Sequence, residues 1–129
     1  MEELSLKTGN RAEMVDITRQ VADLLPALCV DDGAVYVFSP HTTAGITINE
    51  ACDPDVAGDM LAFLDRMVPW RNNYRHAEGN SAAHIKTSLI GPGVIIPVQN
   101  GKLALGAWQG IFFCEFDGPR NRKVWVKGI

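Results

Sequence analysis

An Asn-Gly pair in the last third of the chain is the feature that most constrains the fold. Asn100-Gly101 lies between two apolar segments, Val94–Val98 and Leu103–Phe116. Both residues of the pair tolerate positive φ, which a two-residue hairpin turn requires. A further strand-like segment, Lys123–Val126, lies near the end of the sequence. The last third is therefore predicted to form antiparallel strands, with Leu103–Phe116 as one long return strand.

Two helices are predicted before this region. Asp16 is a candidate cap for a helix through Leu28, and Asp53-Pro54 is a strong start for a second helix that runs to about Val68. The 129 residues suit one domain. We therefore expect a single α+β domain over residues 1–129, largely an antiparallel sheet or sandwich with two main helices. Further strands are predicted at Leu4–Lys7, Ala34–Ser39, Thr42–Asn49 and Ile85–Ile90.

Composition and charge exclude several classes of protein. The longest apolar stretch is far shorter than the roughly 20 residues of a membrane-spanning helix, and the acidic N-terminal segment does not resemble a signal peptide. A net charge of −3 offers no basic surplus for nucleic acid. The chain has three cysteines and no CxxC pair, so we expect reduced thiols in the cytoplasm, with Cys29 and Cys114 buried.

The histidines mark one candidate site. His41 follows a predicted strand, His76 lies in a polar loop predicted over residues 70–83, and His84 follows that loop. Loops of this length are often functional. In an extended segment His84, Lys86 and Ser88 would share one face, which either belongs to a site or simply faces water. The histidines are candidates for binding a divalent metal, zinc or magnesium, or for acid–base catalysis. Their spacing matches no short metal motif.

A second candidate site combines two carboxylates with two guanidinium groups. Glu115, Asp117, Arg120 and Arg122 follow one another closely. They form either structural ion pairs, within the chain or across a subunit interface, or an anion site in which an arginine grips phosphate oxygens. The familiar nucleotide-binding glycine loops are absent from the sequence.

Four segments together carry a resemblance to a known family. Each is a weak signal alone, but their order and spacing are specific, and they extend over nearly the whole chain. The segments are His41-Thr42-Thr43-Ala44, Asn49-Glu50 with Asp53-Pro54, Ala83-His84-Ile85-Lys86 after His76, and Gly106-Ala107-Trp108-Gln109-Gly110-Ile111 followed by Glu115 and Asp117-Gly118-Pro119-Arg120. With these segments the chain resembles the YjbQ family, also called the secondary thiamine-phosphate synthase family.

The resemblance implies a compact α+β fold, a cytoplasmic homotrimer with sites near subunit boundaries, and a phosphorylated small-molecule ligand. It also implies an activity that joins a pyrimidine methyl diphosphate to a thiazole phosphate and releases pyrophosphate. The alternatives are a trimeric protein that binds a metal or metabolite without turnover, and a metal-dependent phosphate hydrolase. Aromatic side chains are enriched at interfaces, so Phe112, Phe113 and Trp125 are expected to be partly buried between subunits.

The candidate residues fall into three groups. The expected metal ligands are His41, His76 and His84. The expected catalytic residues are these histidines with Lys86, Glu115 and Arg120. Trp108 is a candidate for stacking on a flat ring, although a buried core position is the preferred interpretation. The expected substrate-binding residues are Thr42, Thr43, Asn49, Asn80, Trp108, Gln109 and Arg122.

Overall fold

The computed structural model describes all residues from Met1 to Ile129. Its strands form two antiparallel sheets, and its helices are α1, Thr18–Ala22; α2, Leu25–Leu28; α3, Pro54–Met67; and α4, Ser81–Ile90. The strands are β1, Glu2–Lys7; β2, Glu13–Asp16; β3, Gly33–Phe38; β4, Ala44–Glu50; β5, Gly93–Gln99; β6, Lys102–Leu103; β7, Gln109–Glu115; and β8, Asn121–Gly128. The predicted α+β class is confirmed.

The two sheets pack face to face, and helices α3 and α4 cover the outer face of the smaller sheet. The larger sheet has the strand order β1-β8-β3-β5-β6 and the smaller one has the order β2-β7-β4. Val35, Val37 and Val124 of the larger sheet meet Ile46 and Phe113 of the smaller one in the main core. A second core behind the smaller sheet contains Phe112, Cys114, Phe116 and Ala83, with Leu61 and Leu64 packed against them.

Strand β7 is the central strand of this layered arrangement, because its alternate side chains enter different cores. Ile111 and Phe113 face the main core, whereas Phe112 and Cys114 face the helices. Phe112 and Phe113 are thus core residues of one chain, and their predicted position at a subunit interface is wrong. Cys114 is buried as predicted, and burial raises its pKa to about 12. Cys29 is exposed, contrary to the prediction.

The predicted hairpin is confirmed, but its return strand is short. Asn100 and Gly101 adopt φ of 51° and 69°, and β6 ends at Leu103. The chain then crosses to the other sheet and begins β7 at Gln109. The single strand predicted over residues 103–116 is therefore two strands in different sheets, because the apolar pattern continues across a segment interrupted by Gly106.

Two local predictions in the first ninety residues are wrong. The helix predicted from Asp16 to Leu28 is two short helices, since Pro26 has no N–H to continue a helix and lies in the first turn of the second one instead. The strand predicted from Ile85 to Ile90 belongs to α4. Helix α3 begins as predicted, because the Asp53 carboxylate accepts the Asp55 N–H at 2.9 Å.

No helix of the structure combines the length and apolar character needed to cross a membrane.

Candidate functional site

A polar pocket of about 470 Å³ lies where three connecting segments meet. They are the segment after β3, the loop before α4, and the turn between β7 and β8. Its walls contain all three histidines of the chain and no apolar side chain apart from one proline ring. The lining residues are Pro40, His41, Thr42, Thr43, His76, Glu78, Asn80, His84, Asp117, Arg120 and Arg122.

His41 is held by a backbone hydrogen bond at the edge of the larger sheet. The Lys123 N–H donates to its Nε2 at 2.9 Å, and its ring stands edge-on to Phe113 with centroids 6.4 Å apart. Ser39 shapes the preceding turn, because its hydroxyl donates to the Ala44 carbonyl at 2.7 Å. Burial and the nearby positive charge of Arg122 hold the pKa of His41 below its ordinary value of 6.5.

His76 and His84 form a pair in the same pocket. Their ring centroids are 5.5 Å apart, and the ring planes are nearly perpendicular. His76 belongs to the loop before α4, whereas His84 lies one turn inside that helix. The same two side chains also line a neighbouring hollow of about 580 Å³, with Tyr74 and Arg75. The pair therefore forms a partition between two open, ligand-accessible spaces.

A buried ion pair lies beneath the pocket. Arg122 donates from Nε to the carboxylate of Glu115 at 2.9 Å and from Nη2 to the Thr43 hydroxyl at 2.8 Å. The Thr8 hydroxyl also donates to Glu115, at 2.7 Å. Burial acts to raise the pKa of Glu115, but the hydrogen bonds from Arg122, Thr8 and the Asp117 backbone outweigh it, so this pKa lies below its ordinary value of 4.5.

A second acid–arginine pair lies at the pocket surface. Arg120 donates from Nη2 to the Asp117 carboxylate at 3.0 Å and from Nε to the Asp117 carbonyl at 2.8 Å. The Asn80 amide donates to the same carboxylate oxygen at 2.9 Å. The Arg120 side chain remains 51% exposed. Its guanidinium is therefore oriented by Asp117 and still has N–H groups available to an anion.

The side chain of Asn80 also carries an unpaired hydrogen-bond acceptor. Its side-chain oxygen is buried and has no hydrogen-bond partner within the chain. A buried oxygen without a partner is costly, and such groups often bind a ligand or a water molecule.

Eight of the predicted site residues line this pocket. They are His41, Thr42, Thr43, His76, Asn80, His84, Arg120 and Arg122. Glu115 lies just beneath them and is fully buried against Arg122. Glu78 had no predicted role, and Asp117 was expected only as a member of the acid–arginine cluster. The signal for Asp117 was its spacing of three residues from Arg120.

The other four predicted residues lie elsewhere. Lys86 is buried in α4 and bonds to Asp65 of α3 at 3.4 Å. Asn49 lies at the far end of β4, opposite Gly110. Trp108 is 64% exposed, so its predicted core position is wrong. The Gln109 side chain accepts the Gly106 N–H at 2.8 Å and closes a local turn.

The histidines of one chain do not by themselves complete a metal site. The rings of His76 and His84 lie close together, with centroids 5.5 Å apart. However, no group of three or more His, Cys, Asp or Glu side chains is arranged to hold a metal. A single chain thus offers at most two of the ligands that a catalytic zinc requires.

Comparison with known proteins assigns the chain to a family. The family described as UPF0047 protein YjbQ-like matches residues 2–129. The UPF0047 protein YugU of Bacillus subtilis is 52% identical over 128 residues, which cover 98% of this chain and 97% of YugU.

Solved structures agree with this assignment. A YjbQ/UPF0047-family protein from Clostridium acetobutylicum has 56% identity and a TM-score of 0.97, with 100% of both chains covered. A conserved hypothetical protein from Thermus thermophilus has 44% identity and a TM-score of 0.91, again with 100% of both chains covered. The chain therefore belongs to the YjbQ-like UPF0047 family.

Proposed function

We propose that the protein is an enzyme of the thiamine-phosphate synthase type, which joins a pyrimidine methyl diphosphate to a thiazole phosphate and releases pyrophosphate. One observation carries the proposal: the oriented, half-exposed guanidinium of Arg120 shares a polar pocket with three histidines. Arginine binds phosphate oxygens through two parallel hydrogen bonds, and imidazole transfers protons near neutral pH. The family resemblance supplies the identity of the substrates.

Positive charge at the leaving group is what the reaction requires of the protein. The methylene–oxygen bond of the diphosphate breaks, both bonding electrons stay with pyrophosphate, and the pyrimidine methylene cation forms a bond to the thiazole nitrogen. The negative charge that develops on the leaving oxygen is stabilised by fixed hydrogen-bond donors. Arg120 is oriented for this role by Asp117, and the His76–His84 pair serves to move a proton to or from the leaving group.

A divalent metal, zinc or magnesium, is a further part of the proposal. His76 and His84 would hold it, and a bound metal would stabilise the charge on the phosphate oxygens. Arg120 has the same role with or without a metal, whereas His76 and His84 would transfer a proton only when no metal occupies their lone pairs.

The test measures product and pyrophosphate together. Purified protein is incubated with both substrates, and the release of pyrophosphate is compared with the formation of thiamine phosphate. Equal amounts of the two products support the proposal. Release of inorganic phosphate without condensation indicates the phosphate hydrolase, and binding without any product indicates the metabolite-binding protein. The Arg120→Ala variant is the control for contaminating enzymes.

A cytoplasmic homotrimer is the proposed assembly. The support is the family resemblance, together with an aromatic row of Tyr36, Phe38 and Trp125 on the outer face of the larger sheet, where neighbouring ring centroids are 5.6 and 5.9 Å apart. Open aromatic surfaces of this kind are typical of interfaces. Light scattering is expected to give three times the chain mass of 14.1 kDa, and a monomer would contradict the assembly.

A further inference from the structure

The His41 side chain takes the place of a strand residue where the pairing of β3 with β8 ends. The last pair between β3 and β8 joins Phe38 to Trp125. Beyond it the chain turns away from β8 at Pro40, so the pairing of the two strands stops there. On this side the Lys123 N–H donates to the Nε2 of His41 at 2.9 Å instead of to a strand carbonyl.

This hydrogen bond determines what the other ring nitrogen can do. A backbone N–H only donates, so the ring nitrogen that faces Lys123 must provide a lone pair. A neutral imidazole has one nitrogen with a lone pair and one that carries a proton. The lone pair of His41 is already used, and its Nδ1 therefore carries the proton. Nδ1 has no partner within the chain, and His41 lines the pocket.

The hydrogen bond from Lys123 also gives His41 a different chemical role from that of His76 and His84. A histidine that binds a metal or accepts a proton needs a free lone pair, and metal-binding histidines usually donate their other N–H to an acceptor. His41 shows the reverse arrangement, since its other nitrogen accepts. Neither His76 nor His84 has such a constraint, because no hydrogen bond from the protein occupies their ring nitrogens.

We propose that His41 is a neutral hydrogen-bond donor, whose Nδ1–H binds an anionic phosphate oxygen of the ligand, and that metal binding and proton transfer belong to His76 and His84. The identity of the ligand rests on the proposed function. The protonation pattern of His41 rests only on its contact with Lys123. His41 is thereby removed from the predicted metal ligands and becomes a substrate-binding residue.

The surroundings of His41 favour the neutral ring. The buried face of the ring packs edge-on against Phe113, and the Arg122 guanidinium lies nearby. Both burial and a neighbouring positive charge disfavour a cationic imidazole, which agrees with a lowered pKa. A neutral donor keeps the same protonation state while phosphate binds and leaves. His41 and Arg120 together then present two different donors to one anion.

Imidazole NMR of the free protein tests the protonation pattern directly. Long-range proton–nitrogen correlation spectra distinguish a ring protonated at Nδ1 from one protonated at Nε2 or at both nitrogens. The His41 signals are identified by their absence in the His41→Gln variant. At neutral pH we expect His41 to be neutral with its proton on Nδ1. An Nε2-protonated or doubly protonated ring would overturn the proposal.

Two additions to the same sample test the division of roles. Inorganic pyrophosphate is expected to shift the His41 Nδ1–H signal, and Zn²⁺ is expected to shift the nitrogens of His76 and His84 but not the lone-pair nitrogen of His41. Direct Zn²⁺ binding by His41 would overturn the proposal. If pyrophosphate fails to bind while His41 carries its proton on Nδ1, the proposed function fails and the protonation assignment stands.

Amide substitutions provide the matched functional test. An amide has both a donor and an acceptor, so His41→Gln is expected to bind pyrophosphate within about threefold of wild type, whereas His41→Ala loses roughly tenfold or more, as for a hydrogen bond to a charged group. His76→Gln and His84→Gln are expected to lose Zn²⁺ binding, which His41→Gln keeps. If a folded His41→Gln variant lost Zn²⁺ binding, the assignment of metal binding to His76 and His84 would be contradicted.

Discussion

The two acid–arginine pairs of this chain are nested in sequence but differ in surroundings. Glu115 and Arg122 are 0% and 5% exposed and form hydrogen bonds with each other, Thr8 and Thr43. Asp117 and Arg120 lie between them in sequence, yet the Arg120 side chain is half exposed and keeps free donors. Asp117 and Arg120, which lie between Glu115 and Arg122 in the sequence, are thus the pair nearer the protein surface.

The difference in burial, rather than residue type, is what distinguishes the two pairs. Arg122 lines the pocket, but its Nε and Nη2 groups are used by Glu115 and Thr43, so the buried pair is expected mainly to stabilise the site from below. An oriented, exposed arginine contributes little to folding but presents donors to an anion. We therefore expect substitutions in the two pairs to change different measured quantities.

The largest expected effect is on stability and follows from breaking the buried pair. Arg122→Ala leaves the Glu115 carboxylate buried without its partner, and such a change costs about 3–5 kcal/mol in the free energy of unfolding. Urea titration of wild type and variant measures this loss. Arg120→Ala is the matched control and should lose at most about 1 kcal/mol. Equal losses in the two variants would contradict the distinction.

The second effect is on catalysis. Arg120→Ala removes a donor for the leaving group and should raise the barrier by about 3 kcal/mol, roughly a hundredfold in rate. Arg120→Lys should fail almost as badly, because an ammonium group cannot form the planar two-bond contact. Turnover, oligomeric state and Tm are measured on the same preparations. A trimeric and fully active variant would defeat the assignment, and inactivity through dissociation would indicate a structural role.

A smaller effect is expected from the residue that orients Arg120. Asp117→Asn keeps the shape of the side chain but weakens the contacts to Arg120 and Asn80, so we expect about a tenfold loss in rate, equivalent to ~1.4 kcal/mol. Lys123→Ala is a suitable control, since it removes the surface contact with Glu3 and keeps the backbone donor to His41. Equal effects of the two changes on turnover would argue against orientation by Asp117.

The alternation of side chains along the strands distinguishes the two acid–arginine pairs already in the sequence. In the two-residue alternation of a strand, Glu115 lies on the same face of β7 as the apolar residues Ile111 and Phe113. Arg122 lies on the same face of β8 as Val124. In each strand the alternation continues from apolar to charged on the inward face. Two opposite charges at inward positions of facing sheets therefore predict a buried pair. Asp117 and Arg120 lie in the turn between β7 and β8, where side chains no longer alternate between two faces.

The site as a whole was less predictable, because it depends on helix α4. A strand is predicted over residues 85–90, and in an extended segment His84, Lys86 and Ser88 would share one face. The buried residues of this segment, Ala82, Ala83, Lys86 and Thr87, instead have helical spacing. The helix places His84 beside His76 and turns Lys86 into the protein. The convergence of three separate segments on one pocket depends on tertiary packing, which local periodicity does not encode.

The smallest expected effect is on the pH dependence of stability, and it again separates the pocket from the buried pair beneath it. The pKa of His41 is lowered from 6.5 and that of Glu115 from 4.5. A group with a lowered pKa in the folded state stabilises the protein above its unfolded pKa, and this stabilisation is lost as the pH falls through the folded value. The free energy of unfolding should thus decline below pH 6.5 through His41, and further below pH 4.5 through Glu115.

Chemical unfolding at a series of pH values separates the two contributions. His41→Gln cannot titrate and should lose the decline that begins near pH 6.5, while the decline below pH 4.5 remains. Glu115→Gln should show the opposite pattern, with lower stability at neutral pH because Arg122 then lacks a charged partner. If His41→Gln keeps the wild-type pH profile, the imidazole of His41 is not the group that charges, and its neutral, donor role would lose its support from stability.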